Sequence, residues 1–170
     1  MIIWINGSFG SGKSTVARII RRRIKDSFIY DPENIGYFFR KNLPGCFNPA
    51  DFQDEPLWRE LNYLLLRRIA ENYKGLVIVP MTLVNPAYFS EIIGRLREDG
   101  FIINHFVLGA SSRTLHRRLR KRLDFKNSWP ARQVERCVAA FADPIFETYL
   151  DTEKLTAKQA ADEIIRKAGL

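Results

Sequence analysis

The 170-residue chain predicts a three-layer α/β fold, a five-stranded parallel sheet with helices on both faces. Two observations carry that expectation. Short apolar runs alternate with amphipathic stretches of helical period, the order that βαβ units require. Each apolar run also ends in small or polar residues, as strands do when their carboxyl ends border a ligand crevice.

The elements follow in order. Ile2–Asn6 is the first strand, and a helix starting near Lys13 carries the stripe Val16, Ile20 and Ile24. That stripe leaves Arg18, Arg21, Arg22 and Arg23 for solvent. Phe28–Asp31 is the second strand, placed beside the first, with a helix over Glu33–Lys41. Trp58, Leu61, Leu65, Ile69 and Tyr73 mark one face of a longer helix, and Leu76–Pro80 is strand three. Asn85-Pro86 supplies an N-cap and an N1 proline for a helix through Phe89, Ile92, Ile93 and Leu96,. Ile102–Leu108 is strand four, followed by helical stripes at Leu115, Leu119, Leu123 and at Val134, Cys137, Val138, Phe141. A weaker strand lies around Thr148–Asp151. Thr156 and Gln159 then form a capping-box pair before the stripe Ala157, Ala160, Ala161, Ile164, Ile165, Ala168,. That stripe fits either a membrane surface or a sheet, and its small side chains favour the sheet.

Residues 7–14 read GSFGSGKS between a strand and a helix, a complete phosphate-binding P-loop,. Glycines let successive N–H groups turn toward one anion, and the helix amino end adds a positive dipole. In that scheme Gly7, Ser8, Phe9, Gly10, Ser11, Gly12, Lys13, Ser14 and Thr15 cradle a nucleoside triphosphate. Lys13 reaches the β- and γ-phosphates, and the Ser14 hydroxyl ligates Mg²⁺.

Composition bounds the rest. A 46% apolar content supports one globular domain over 1–170 with a sizeable core,. No run approaches the ~18 apolar residues of a membrane span, and nothing at the amino end reads as a leader, so the expected location is cytoplasmic. Cys46 and Cys137 form no metal or disulfide pattern,. The net charge of +8 asks for an anionic partner, but the basic residues concentrate between Arg113 and Arg136 rather than spreading as a nucleic-acid surface would. A small phosphorylated ligand is the expected partner, not nucleic acid.

No guanine-reading N-K-x-D and no strand-borne D-x-x-G occurs, which disfavours a GTPase. Strand three ends in Pro80 where a metal carboxylate would stand, so Mg²⁺ depends on Ser14, phosphate oxygens, water and Asp31. Asp31 is the candidate general base for a hydroxyl acceptor, with an N-cap role as its competing use and Glu33 in reserve. Arg118 and Arg122, one helical turn apart, read as cations on a basic lid spanning about 118–132, or else as part of a solvated basic helix. The aromatic-rich stretch Gly36–Arg59 offers Tyr37, Arg40 and Trp58 to a planar or sugar-like ligand, or else forms a satellite cluster,. Thr82 and Asn85 are candidate hydrogen-bonding residues after strand three. His105 and His116 read as packing or surface residues.

Taken together, MIIWINGSFGSGKST at 1–15, YDPENIGYFFRKNLP at 30–44, DFQDEPLWRELNY at 51–63, VIVPMTLVNPAYFSEIIGRLREDG at 77–100, KNSWPARQVERCV at 126–138 and LDTEKLT at 150–156 resemble the tunicamycin-resistance branch of the P-loop small-molecule kinases. The resemblance implies a nucleoside-kinase-like P-loop fold that binds ATP with Mg²⁺ and confers resistance to a nucleoside antibiotic bearing uracil and sugars. It gives Lys13 and Ser14 their P-loop roles, and Arg118 and Arg122 the lid roles. It places adenine against the backbone of 151–155, Thr152 included, and makes Asp31 the base. Resistance by phosphorylation and resistance by sequestration both fit. The expected activity is ATP-dependent phosphoryl transfer to a hydroxyl of a nucleoside-like molecule or antibiotic. A housekeeping nucleoside or nucleotide kinase and a non-catalytic sequestering protein are the alternatives.

Overall fold

The structure, a computed structural model, describes residues 1–121 and 128–170. Five strands, β1 (Ile2–Gly7), β2 (Ser27–Ile29), β3 (Leu76–Pro80), β4 (Ile103–Gly109) and β5 (Tyr149–Asp151), form one sheet in the order β2-β3-β1-β4-β5. All pairings are parallel, with Ile3 opposite Ile78 on one side and Asn104 on the other. Helix α1 is Lys13–Arg23, α2 Glu33–Asn42 and α3 Pro56–Asn72. Helix α4 covers 86–98 and contains a π-helical turn at Ser90–Gly94. Helices α5 (Ser112–Lys121), α6 (Trp129–Ala140) and α7 (Ala157–Ala168) complete the described elements, with short 3₁₀ turns at Gly45–Phe47 and Phe52–Asp54.

Alternation along β1 divides the core into two layers. Ile2 and Trp4 pack with Val77, Val79, Trp58, Leu66 and Phe89 under α3, α4 and α6. Ile3 and Ile5 pack with Ile78, Val16, Ile20, Ala161 and Ile164 under α1 and α7. Both faces of the sheet are therefore covered, as a parallel sheet demands. The small residues of α7 let it lie close to α1, and the Thr156–Gln159 capping box is formed. The stripe at 157–168 packs on the sheet side.

Three expectations need correction. Strand β3 lies between β1 and β2, so the second strand is not the neighbour of the P-loop strand. Strand β2 also stops at Ile29, which leaves Asp31 in the loop beyond it. On α3 the buried face is Trp58, Arg59, Asn62, Tyr63 and Leu66, while Leu65 is exposed. Polar partners bury Arg59 and Asn62: Arg59 Nε meets Glu91 at 2.6 Å, and Asn62 accepts from the Tyr30 hydroxyl at 2.8 Å.

One buried polar network fixes the loops at the carboxyl end of the sheet. Asn6 Oδ1 accepts from Gly7 N and Leu83 N, each at 2.9 Å. Its Nδ2 must then be the donor, to Leu83 O at 2.8 Å and to His105 Nε2 at 3.2 Å,. His105 is therefore the neutral tautomer whose Nδ1–H donates to Glu147 O at 3.2 Å,.

Burial pushes His105 down to about 4, against about 6.5 for an unperturbed histidine. The unfolded chain takes up a proton in that window that the native chain refuses. The contribution is complete above about pH 6.5 and is lost as pH falls toward 4, by ~3 kcal/mol in all. Urea midpoints should therefore drop between about pH 7 and pH 5, and the His105→Gln variant should show a flatter profile. Identical pH profiles for the two proteins would remove His105 from the acid response.

Candidate active site

Residues 7–14 link β1 to α1 in a bend that only glycine tolerates at its ends. Gly7 has φ +140°, and a Cβ there would sit 2.7 Å from Leu108 O. Gly12 has φ 97° and is the N-cap of α1, which has no side-chain cap and no acidic residue in its first turn. The positive helix end is thus left uncompensated, the condition for holding an anion. Lys13 Nζ lies inside the bend, donating to Gly7 O at 2.9 Å and Ser8 O at 3.1 Å. The Ser11 hydroxyl is buried without a partner among the described residues. The Ser14 and Thr15 side chains are exposed on the first turn of α1. These groups fit a polyphosphate, and Ser14 supplies the hard oxygen that Mg²⁺ prefers.

Two cavities flank this bend. The smaller, about 200 Å³, is walled by Gly10–Gly12, Thr15, Arg118, Thr152 and Leu155. Thr152 N and Oγ1 both donate to Gly109 O at 2.8 Å, which extends the β4–β5 pairing into this wall. Arg118 donates to Thr152 O at 2.6 Å and to Thr152 Oγ1 at 3.2 Å. Its guanidinium therefore braces the Thr152 wall, where the sequence placed it over phosphates. The reason is its helix position: α5 packs Leu115 and Leu119 beneath Gly10, aiming Arg118 at β5. Arg122, Leu123 and the rest of 122–127, the middle of the expected lid, lie outside the described residues. Glu153 ties the same wall to the start of α5, accepting from Ser111 N at 2.8 Å. The Thr114 and Ser111 donors hold its carboxyl below the usual range.

The larger cavity, about 370 Å³, borders the bend at Phe9. Phe9 and Trp129 meet edge to face at 5.2 Å, and Tyr37 and Phe52 supply further aromatic wall. Of the expected ligand residues, Glu33, Tyr37, Arg40 and Thr82 line it. The Tyr37 hydroxyl donates to Glu33 Oε2 at 3.0 Å, and Thr82 Oγ1 donates to Gly7 O at 2.8 Å. Trp58 does not line it: the indole is wholly buried, with Nε1 donating to Pro32 O at 3.1 Å. Asn85 is a helix cap whose Oδ1 accepts from Ala87 N at 2.9 Å. Asp31 is also off the cavity wall. Its Oδ1 accepts from Glu33 N at 3.0 Å, while Oδ2 has no partner among the described residues.

Sequence reasoning missed Asn6, Asp51 and Gln53. Asp51 and Gln53 sit on the larger cavity, brought there by the 3₁₀ turn at Phe52–Asp54. Burial pushes the Asp51 carboxyl up. The available signal was a D-x-Q pair among aromatics, which a search for helical or strand period passes over.

Comparison with known proteins agrees with this geometry. The family described as AAA domain matches residues 2–144. The tunicamycin resistance protein of Deinococcus radiodurans superposes with a TM-score of 0.85 at 32% identity, over 99% of this chain and 95% of that one. A gluconokinase from Sinorhizobium meliloti gives 0.69 at 18% identity, over 98% and 90%. The APS kinase of Mycobacterium tuberculosis, solved with AMPPNP and APS, gives 0.68 at 16% identity, over 99% and 97%. These last two bear on the fold alone. No curated protein matches the sequence. On the family match, the tunicamycin-resistance likeness and the glycine-bordered bend between β1 and α1, the chain belongs to the AAA domain family of P-loop kinase-like proteins.

Proposed function

We propose that the chain transfers the γ-phosphoryl group of ATP to a hydroxyl of a small nucleoside-like molecule. The observation carrying this reading is the pair of cavities that both border residues 7–14, one walled by Gly10–Gly12 and the other by Phe9. Donor and acceptor can then meet at one bend, which is what in-line transfer needs. In this reading the backbone N–H groups of the bend, the α1 amino end and Lys13 hold the β- and γ-phosphates. The base lies along Thr152–Leu155. Ser14, with Asp31 Oδ2, holds Mg²⁺, which would screen phosphate charge when bound. Glu33, on the acceptor wall and oriented by the Tyr37 hydroxyl, takes the proton from the attacking hydroxyl.

Aromatic walls and the 32% identity to a tunicamycin resistance protein support a nucleoside antibiotic among the acceptors. A single domain over 1–170 and cytoplasmic residence belong to the same proposal. No helix among the described residues is long and apolar enough to cross a membrane. Capture of the ligand without turnover is the second reading, favoured by Pro80 at the end of β3, where a carboxylate would complete a metal site.

Lys13→Ala should abolish ATP binding in calorimetric titration, because the bend loses its only long cation; unchanged affinity would refute the P-loop role. Glu33→Gln should keep ATP affinity and lower transfer by roughly 10²–10⁴-fold, the usual contribution of a positioned base. Asp31→Asn should instead raise the Mg²⁺ needed for half-maximal rate. A normal rate in Glu33→Gln with loss in Asp31→Asn at saturating Mg²⁺ would return the base to Asp31. Mass analysis of uridine or tunicamycin after incubation with ATP and Mg²⁺ should show one added phosphate. Tight binding with no added mass would establish sequestration.

A further inference from the structure

The wall of the larger cavity carries a hydrogen-bond acceptor that has no partner among the described residues. Gln53 is 7% exposed. Its Nε2 donates to Thr82 O at 3.1 Å. A carbonyl can only accept, so the amide orientation is fixed and Oε1 is the other end. Oε1 meets no partner among the described residues, on a side chain that lines the cavity.

The mounting of that group is stiff. Gln53 N donates to Asp51 Oδ1 at 3.1 Å. Gln53 O accepts from Arg59 Nη1 at 2.6 Å, and Arg59, itself 8% exposed, is clamped by Glu91 and lies 4.1 Å over the Tyr88 ring. A reading group held from both sides selects geometry rather than adapting to it.

Asp51 stands beside it. The side chain is 14% exposed, and its Oδ2 has the Arg136 guanidinium only at 4.0 Å, beyond hydrogen-bond range,. The described wall thus carries two carboxylates, Glu33 and Asp51, against one guanidinium, Arg40, which lies 5.6 Å from the Phe52 ring. A phosphate or carboxylate on the acceptor would be desolvated next to like charge. A neutral ligand offering N–H or O–H groups would meet two acceptors with room for it.

We infer that the acceptor is electrically neutral and donates hydrogen bonds to Gln53 Oε1 and Asp51 Oδ2, so that a nucleoside is taken and a nucleotide or sugar acid refused. This deepens the proposed function and rests on the larger cavity being the acceptor site. Asp51 and Gln53 then act as specificity residues, separate from Glu33.

Calorimetry on the full chain with uridine and with uridine 5′-monophosphate tests it, because the two share base and ribose and differ in charge. Uridine should bind at least tenfold more tightly than the monophosphate. Asp51→Asn should narrow that ratio severalfold by strengthening monophosphate binding. Gln53→Met should weaken uridine about tenfold while ATP affinity, read in the other cavity, reports an intact fold. A wild-type chain that binds the monophosphate as tightly as uridine, or binds neither, overturns the inference. So does a folded Gln53→Met protein with unchanged uridine affinity. Phosphate transfer assayed on the same samples separates the two ideas. Selective uridine binding without transfer defeats the kinase reading alone. Efficient transfer to an anionic acceptor defeats the neutral-acceptor inference alone.

Discussion

The side-chain amide of Asn6 is the joint on which the ligand-facing end of the sheet depends. Its oxygen takes the N–H groups of Gly7 and Leu83, and its nitrogen serves Leu83 O and His105. Thr82 adds a second link from the same loop, donating to Gly7 O. The start of the phosphate bend and the segment after β3 are thereby one rigid piece. All of these groups are buried, so losing one partner strands several others, each at about 1–3 kcal/mol. No apolar residue could replace Asn6 without leaving two loops unsatisfied.

Rigidity there explains how two cavities can share one bend. The smaller cavity takes a wall from the end of β5 through Thr152, and the larger takes its wall from α2 and the turn at Phe52–Asp54. These elements lie at opposite edges of the sheet, with β1 in the middle. A central strand carrying the glycine-rich bend is therefore the topological condition for placing both cavities beside one loop,. Helix α6 closes the arrangement by presenting Trp129 to Phe9.

How much of this the sequence disclosed follows from the range of each signal. The bend at 7–14, the capping box at Thr156 and the five apolar runs are local patterns, and the structure has them. Strand order is not local. Nothing near Asp31 announces that β3 will come between β2 and β1, or that β2 will stop at Ile29. Residue type alone picks out Trp58, Asn85 and Arg118; their partners are Pro32, Ala87 and Thr152, and of the three Arg118 lines the smaller cavity while Trp58 and Asn85 line neither. Gln53 was passed over because a 3₁₀ turn has no long period to detect. Its significance comes from Thr82 and Arg59, which only the fold brings near. The tautomer of His105 likewise depends on Asn6, 99 positions away in the chain.

The resting position of Lys13 carries a consequence for ligand choice. Its ammonium is already solvated by Gly7 O and Ser8 O. An anion that replaces either carbonyl must offset a hydrogen bond worth about 1.5–3 kcal/mol to a charged donor. A monovalent ion such as chloride offers a single charge in exchange. A chain of linked phosphates, touching the ammonium and the helix end at once, returns more. The carbonyl dipoles of the bend thus compete with any anion for the same ammonium.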